Sequence, residues 1–490
     1  MSDITAMPGR SDSSSDLTTS QRPGAPVATD VNALLDDAPT SHFHHRAVWI
    51  SGMGFFTDAY DLFVISTVAT LLGTLWHLST AQTSWVTGSA ILGAFVGAFT
   101  FGRIADVLGR KTVYTVVAAI MIVGALASAF APDFLFLVIA RFVLGLGIGG
   151  DYPVSAVLMS EYSNRRHRGR LVSMVFSMQA VGLIVGPLVG LVLLSSGISG
   201  ALSWRILLGL GAIPAAAVIY LRAKMPESPR FQASVRTQNP QSLQELRDFT
   251  GGVIGAVDVA PSAKRRMSLS EFLRNRQMLT MMFGTAGSWF LFDYAYYGNT
   301  LSLPSILKDV SPNATIEVKL LLSLTMFVVF ALPGYALAVW KMDKIGHRRL
   351  QVIGFFVMAV CFLALAAVPA FTTLVVPFIG IFGVSYLFTE FGPNTTTFVL
   401  PSEVFPVEMR STGHGIAAGM GKLGAFAGVF IVPQLQKSIG LRGMLVVAGL
   451  SALVGLAITF VLPEPAQVSL EDVVDHRTSK DAPSPRRDAA

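Results

Sequence analysis

A chain of 490 residues has the length of about three soluble domains, yet only 13% of it is charged and 52% is hydrophobic, roughly half the charge that covers a soluble domain. The net charge of +6 sits in short clusters between apolar runs, the pattern of cytoplasmic loops and not of a nucleic-acid surface. The lone cysteine, Cys361, excludes an intrachain disulfide.

In chain order, residues 1–45 form a polar, Ser- and Asp-rich stretch without the apolar run of a signal peptide, so a disordered cytoplasmic tail is expected there. Twelve apolar segments follow, near 46–74, 83–104, 111–131, 134–159, 169–196, 203–222, 278–302, 317–341, 348–369, 372–400, 411–436 and 441–462. Each has the roughly 20 residues a membrane helix needs, and lipid permits no open sheet. A polar stretch at 223–277, with a helical pattern at Ser242–Phe249, separates two blocks, 46–222 and 278–465, and a second cytoplasmic tail covers 466–490. The expected fold is therefore an all-α membrane protein of twelve transmembrane helices in two six-helix, pseudo-symmetric bundles.

Alternate loops carry the basic residues: Arg110 and Lys111; Arg165, Arg166, Arg168 and Arg170; Lys341, Lys344, Arg348 and Arg349. The central stretch adds Arg222, Lys224, Arg230 and further basic residues, whereas the opposite loops hold few beyond Lys308, Lys319, Lys437 and Arg442. This bias puts both termini on the cytoplasmic side. The halves also repeat. Asp106 and Asp343 close similar loops 237 residues apart. Ser160-Glu161 and Arg168 recur 242 residues later as Ser402-Glu403 and Arg410. Asp58 corresponds to Asp293 at an offset of 235. Repeated halves around a midplane site are a transporter pattern.

The loop Gly102-x-x-x-Asp106-Val107-x-Gly109-Arg110-Lys111 resembles that of the major facilitator superfamily, with Val107 at a usually basic position. Five further segments resemble its phosphate:proton symporters: Gly54-Phe-Phe-Thr-Asp58-Ala-Tyr-Asp61, Gly150-Asp151-Tyr152-Pro153, Met178-Gln179-Ala, Phe391-Gly-Pro-Asn394 and Gly421-Lys422-Leu-Gly. The resemblance implies import of inorganic phosphate with protons across the cell membrane by alternating access, without cofactor or metal, by a chain for which the monomer suffices. It implies a phosphate site of Tyr152, Gln179, Trp289, Asp293, Tyr297, Asn394 and Lys422, with Asp58, Asp61 and Asp151 in proton coupling or gating. Glu390 stands where an uncharged residue is expected. Alternatives are another small solute, such as an organic acid or sugar, or a non-transporting phosphate sensor on the same scaffold.

The residues support a pocket on their own terms. A charge at the centre of a membrane helix costs about 2.5–3.5 kcal/mol by insertion scales, so Asp58, Asp61, Asp151, Asp293, Glu390 and Lys422 should face a cavity or one another. Asp58 and Asp61, three apart, share a helix face. Trp289, Asp293 and Tyr297, each four apart, form one stripe. Such aromatics are more often packing residues, but an acid in mid-stripe favours a pocket wall. Phosphate needs donors, which Lys422, Asn394, Gln179 and the phenols and indole supply. An ionised Asp293 would repel it and a protonated one would donate, which links proton to anion. Asp106, Arg110, Glu161 and Arg168, with their counterparts Asp343, Arg348, Glu403 and Arg410, are the expected cytoplasmic gate; the bland alternative is an ordinary positive-inside loop set. Gly145-x-Gly147-x-x-Gly150 fits a dinucleotide fingerprint but lies within an apolar helix with no strand before it. Nothing resembles an enzyme's catalytic motif.

Overall fold

A computed structural model describes residues 35–228, 230, 231 and 267–475, and among these every regular element is helical. The first half contains α1 (His42–Leu75), α2 (Thr80–Leu108), α3 (Arg110–Ala129), α4 (Phe134–Tyr162), α5 (Arg168–Ser195) and α6 (Gly200–Ala223). The second contains α7 (Arg276–Leu301), α8 (Ile316–Ile345), α9 (His347–Ala367) and α10 (Val375–Ser402). A final helix, Arg410–Thr459, turns at Gly440, whose φ is 71°. It divides there into α11 (410–439) and α12 (441–459).

By length and apolar content alone, ten helices among the described residues qualify as membrane spans. Splitting the last at Gly440 gives one more. The remaining span is α7, which is long enough but is diluted by Asp293, Asn299 and three tyrosines, Tyr294, Tyr296 and Tyr297. The twelve expected spans are thus present, and the helix that reads least like a span carries the polar pocket stripe.

Within each half, α2 packs along α4 and α7 along α11. The halves meet where α2 lies against α11 and α5 against α8. Small residues permit these approaches. A Cβ at Gly149 would stand 2.0 Å from the Ala94 carbonyl, and one at Gly424 would stand 2.1 Å from that of Phe290. Backbones therefore touch without intervening side chains, as close-packed membrane helices do.

Several spans depart from regular helix. Pro153 in α4 and Pro187 in α5 lie within continuous helix, where each lacks the N–H that would close a turn, and α5 breaks at Met178. In α8 residues Phe327–Ala331 form a π-helical stretch just before Pro333. Without an N–H, Pro333 cannot bond the carbonyl of Val329, which frees that turn to widen. In α10 Gly392 leaves helical geometry at φ −111°, ψ −108° before Pro393 restarts a turn.

The described residues of both ends fold onto the basic face. Asp36, in the stretch expected to be disordered, is buried against Arg230 at 2.6 Å. Glu471, in the helix Leu470–Asp475, pairs with the same guanidinium at 3.2 Å. Burial alone would raise the Glu471 carboxyl, but Arg230 and Arg410 beside it hold it below the usual range. The expected helical stretch at 242–249 lies outside the described residues.

Candidate functional site

At the centre of the bundle, Lys422 of α11 is almost completely buried. Its Nζ donates to Asp293 Oδ2 at 3.1 Å and to the Tyr297 hydroxyl at 3.0 Å, both on α7. The same ammonium lies 4.5 Å from the Tyr152 ring centre and 4.4 Å from that of Tyr297, within cation–π range. Trp289, one turn before Asp293, packs edge-on to His414 and at 6.2 Å from Tyr152. A Cβ at Gly421 would stand 2.5 Å from the Trp289 ring, so this glycine makes room for the indole.

A chain of hydrogen bonds leads from Tyr152 into the second half. Gln179 donates its amide to the Tyr152 oxygen at 2.9 Å. Tyr335 of α8 donates to Gln179 Oε1 at 3.3 Å. Asn394 donates to the Tyr335 oxygen at 2.8 Å and to the Glu390 carboxylate. Four of these groups sit beside a proline or a helix break: Tyr152 before Pro153, Gln179 after the turn at Met178, Tyr335 after Pro333, and Asn394 after Gly392-Pro393. Broken helices at mid-bundle place polar groups where regular ones would present only side-chain stripes.

All seven residues expected around the substrate, Tyr152, Gln179, Trp289, Asp293, Tyr297, Asn394 and Lys422, therefore line one buried polar cluster. Aromatic rings close it on both sides. Towards the basic face Phe55, Phe176 and Phe398 pack together, with Phe176 and Phe398 stacked at 4.5 Å across the two halves. Towards the other face Phe63 stacks on Tyr297 at 5.2 Å. One turn beyond Phe63, Ser66 borders a cavity of about 510 Å³ between the halves, whose wall includes Lys308 and Lys437.

The three other acids fall into different settings. Asp151 pairs with Arg222 in two bonds of 2.8 and 3.0 Å. Arg222 was counted with the central loop; it lies instead at the end of α6, fully buried, because the chain continues as helix through residue 223. Asp58 faces this pair and the Lys422 side, buried with neither carboxylate oxygen hydrogen-bonded. Asp61 lies away from the cluster, between Gly211 and Arg141, and Arg141 donates to the Asp61 carbonyl at 2.6 Å. The shared face of Asp58 and Asp61 thus opens onto two places.

At the basic face, Arg110 pairs with Asp106 at 3.1 Å and Glu161 at 3.4 Å, and Arg410 reaches the same Glu161 oxygen at 3.2 Å. Asp106 accepts the backbone N–H of Ser411 and of Thr412, at the start of α11 in the other half. The second corner differs from expectation in one residue. His347, not Arg348, stands between Asp343 at 3.6 Å and Glu403 at 3.1 Å. Arg348 instead donates to the Leu462 carbonyl. The loop motif contains a basic residue after each glycine, and aligning Gly109 with Gly346 puts Arg110 opposite His347. Asp343 accepts the Arg170 N–H at the start of α5. Arg168 does not pair with Glu161; it donates to the Val468 carbonyl and lies 3.7 Å from Asp36.

Sequence reasoning missed Tyr335, Arg141, His347 and two acids that cap α3 and α9. Glu227 accepts the N–H of Arg110 and Lys111, and Glu464 accepts those of His347, Arg348 and Arg349. They stand 237 residues apart, the offset of the loops they cap. That spacing, following Pro in both cases, was a signal available in the sequence.

Residues 47–475 match the family described as sugar (and other) transporter. The chain is 36% identical to a probable inorganic phosphate transporter 1-6 of Arabidopsis thaliana, over 90% of this chain and 95% of that one. It is equally identical to low affinity inorganic phosphate transporter 8 of Medicago truncatula, over 90% and 92%. Among solved structures, the proton:xylose symporter XylE, of the major facilitator superfamily, superposes with a TM-score of 0.72 at 21% identity, covering 88% of this chain and 98% of that one. A partially occluded inward-open form of XylE from E. coli gives 0.71 at 21% identity, over 86% and 99%. At that identity the likeness concerns the fold.

Proposed function

The chain belongs to the sugar (and other) transporter family of the major facilitator superfamily, and from that premise we propose that it imports inorganic phosphate together with protons by alternating access. The carrying observation is the buried Lys422–Asp293 pair, set in a wall of phenol, indole and amide groups between the two halves. The 36% identity to inorganic phosphate transporters supports phosphate as the anion.

The chemistry follows from the pair. Lys422 is the pocket's cation, and with Asp293 ionised its charge is already balanced. A proton on Asp293 releases the ammonium for the anion and turns the carboxyl from acceptor into donor. Anion and proton then favour each other's binding, which is the thermodynamic content of symport. Asp58, next to the Asp151–Arg222 pair, is placed to relay or gate that proton. Asp61, with Arg141, acts within the first half.

The basic face is the cytoplasmic side, with both termini there and the protein in the cell membrane. Halves 46–222 and 278–465 rock about the site, and one chain suffices. Asp106, Arg110, Glu161 and Arg410, with Asp343, His347 and Glu403, close the cytoplasmic side, while Arg168 and Arg348 brace it through backbone carbonyls. On the other side Phe63 stacks on Tyr297, and Ser66, one turn on, borders the opposite cavity; this supports a state closed at the basic face.

The test is uptake of labelled phosphate by full-length protein in proteoliposomes with an imposed pH gradient. Accumulation driven by the gradient, and competed by arsenate but not by organic acids, is expected. Asp293→Asn should lower the accumulation driven by the gradient and change its pH dependence. If that variant still accumulates phosphate with the normal pH dependence, the role given to Asp293 is wrong.

A further inference from the structure

Glu390 takes no part in the mechanism above, yet it is fully buried and touches the pocket. It lies one turn before Asn394 in α10, and Gly334 of α8 lets it approach: a Cβ on that glycine would stand 2.9 Å from the Glu390 Cβ. The approach brings Tyr335 alongside. The groups that face Glu390 are phenols and an amide: Tyr335 from α8, Tyr296 and Tyr297 from α7, Tyr386 from its own helix, and Asn394. Among the described residues no Lys, Arg or His nitrogen reaches ion-pair distance of it. The pocket's other charged groups, Lys422 and Asp293, are paired with each other. A membrane-buried carboxylate without a cation is a functional group by default.

Its hydrogen bonding says what the function is. Asn394 spends one N–H on Glu390 and donates also to Tyr335, Tyr335 spends its hydroxyl on Gln179, and Gln179 donates to Tyr152. The donors of one pocket wall are thus ordered along a chain that ends on Glu390. An ionised Glu390 keeps the Asn394 amide from an incoming anion and adds a second negative charge to the wall. A protonated Glu390 needs no donor from Asn394 and supplies one itself. The pocket changes from acceptor-rich to donor-rich by taking up one proton.

From this arrangement we infer that Glu390 is a second proton-carrying site of the substrate pocket, loaded from the outside with the anion and emptied with it into the cytoplasm. Asp293 controls the cation, and Glu390 controls the amide and phenol donors. The inference rests on the proton-coupled phosphate reading and adds one proton to each transport cycle.

The measurement is the number of protons taken up per phosphate bound by purified full-length protein in weakly buffered detergent solution, with a pH indicator, for wild type, Glu390→Gln and Asp293→Asn. Comparing variants at one pH cancels the protonation of phosphate itself. Glu390→Gln should take up one proton fewer than wild type. In proteoliposomes its limiting accumulation should fall about tenfold per unit of imposed pH gradient. An unchanged proton count or accumulation limit in Glu390→Gln overturns the inference. If Glu390→Gln does not fold, Glu390→Leu is compared with wild type in the same way: one proton fewer supports the inference, and an unchanged count overturns it. Failure of wild type to accumulate phosphate with the pH gradient would instead remove the functional reading itself.

Discussion

Beyond the end of α2 an arginine bridges an aspartate four residues before it and a glutamate from the end of α4. Beyond the end of α8 a histidine bridges an aspartate four residues before it and a glutamate from the end of α10. Asp106, Arg110 and Glu161 form the first corner, and Asp343, His347 and Glu403 the second. Each aspartate also accepts backbone N–H groups from the first turn of a helix in the opposite half, α11 or α5, where an anion is favoured. The two corners thus share one plan but differ in the permanence of their cation. A guanidinium cannot give up its proton inside a protein, whereas an imidazole can when its carboxylate is taken away. The first corner is additionally fastened by Arg410 on Glu161, whereas its repeat counterpart, Arg168, is turned towards Val468 and Asp36. The first corner therefore has a second cation on its glutamate, and the second corner has one cation only among the described residues.

Removing a charge from each corner should break this comparison most visibly. Glu161→Gln leaves Arg110 and Arg410 buried without their shared carboxylate, a loss of about 3–5 kcal/mol. Thermal unfolding in detergent should show it, and spin labels on the two sides of the basic face should move apart. Glu403→Gln strips the anion from a group that can respond by losing its own proton, so its effect should be clearly smaller. Equal losses would mean the corners are equivalent.

A middle-sized effect concerns the cation itself. His347→Arg puts a guanidinium between Asp343 and Glu403, as in the first corner, and should narrow the separation of the same spin labels. An unchanged separation would mean that the imidazole already holds its corner as firmly as Arg110 holds the other.

The smallest effect sharpens the comparison at the helix starts. Glu464 serves three N–H groups at the start of α9, and Glu227 serves two at the start of α3. Replacing either by Gln should cost on the order of 1 kcal/mol, read from the same unfolding transitions, with Glu464→Gln the costlier.

The sequence makes the spans legible, because apolar length is a local property. It also makes the α7 stripe legible, since Trp289, Asp293 and Tyr297 owe their common face to helical spacing alone. What it hides is pairing over distance. Nothing local joins Asp151 to Arg222, 71 residues on, or Asp61 to Arg141. Arg222 in particular reads as a loop charge of the positive-inside kind, and only the extent of α6 brings it into the bundle. His347 was hidden for a different reason: two adjacent arginines drew the alignment one residue too far, although the glycine turns at 109 and 346, with φ of 105° and 103°, fix the register. Tyr335 carries no charge and follows no motif, so only its bonds to Gln179 and Asn394 mark it.

The widened turn of α8 has a consequence for that tyrosine. A π-helical turn holds one residue more than an α-helical one spanning the same place, so Phe327–Ala331 stores a spare residue upstream of Tyr335. Taking that residue up into regular winding would turn everything beyond it by about 100° and slide it by about 1.5 Å. The Tyr335 phenol would then leave Gln179 and Asn394 together, and the hydrogen-bonded wall between the two halves would part at its middle link. The same turn would carry Asp343, at the far end of this helix, away from His347 and the Arg170 N–H, so the pocket wall and the second corner would part together.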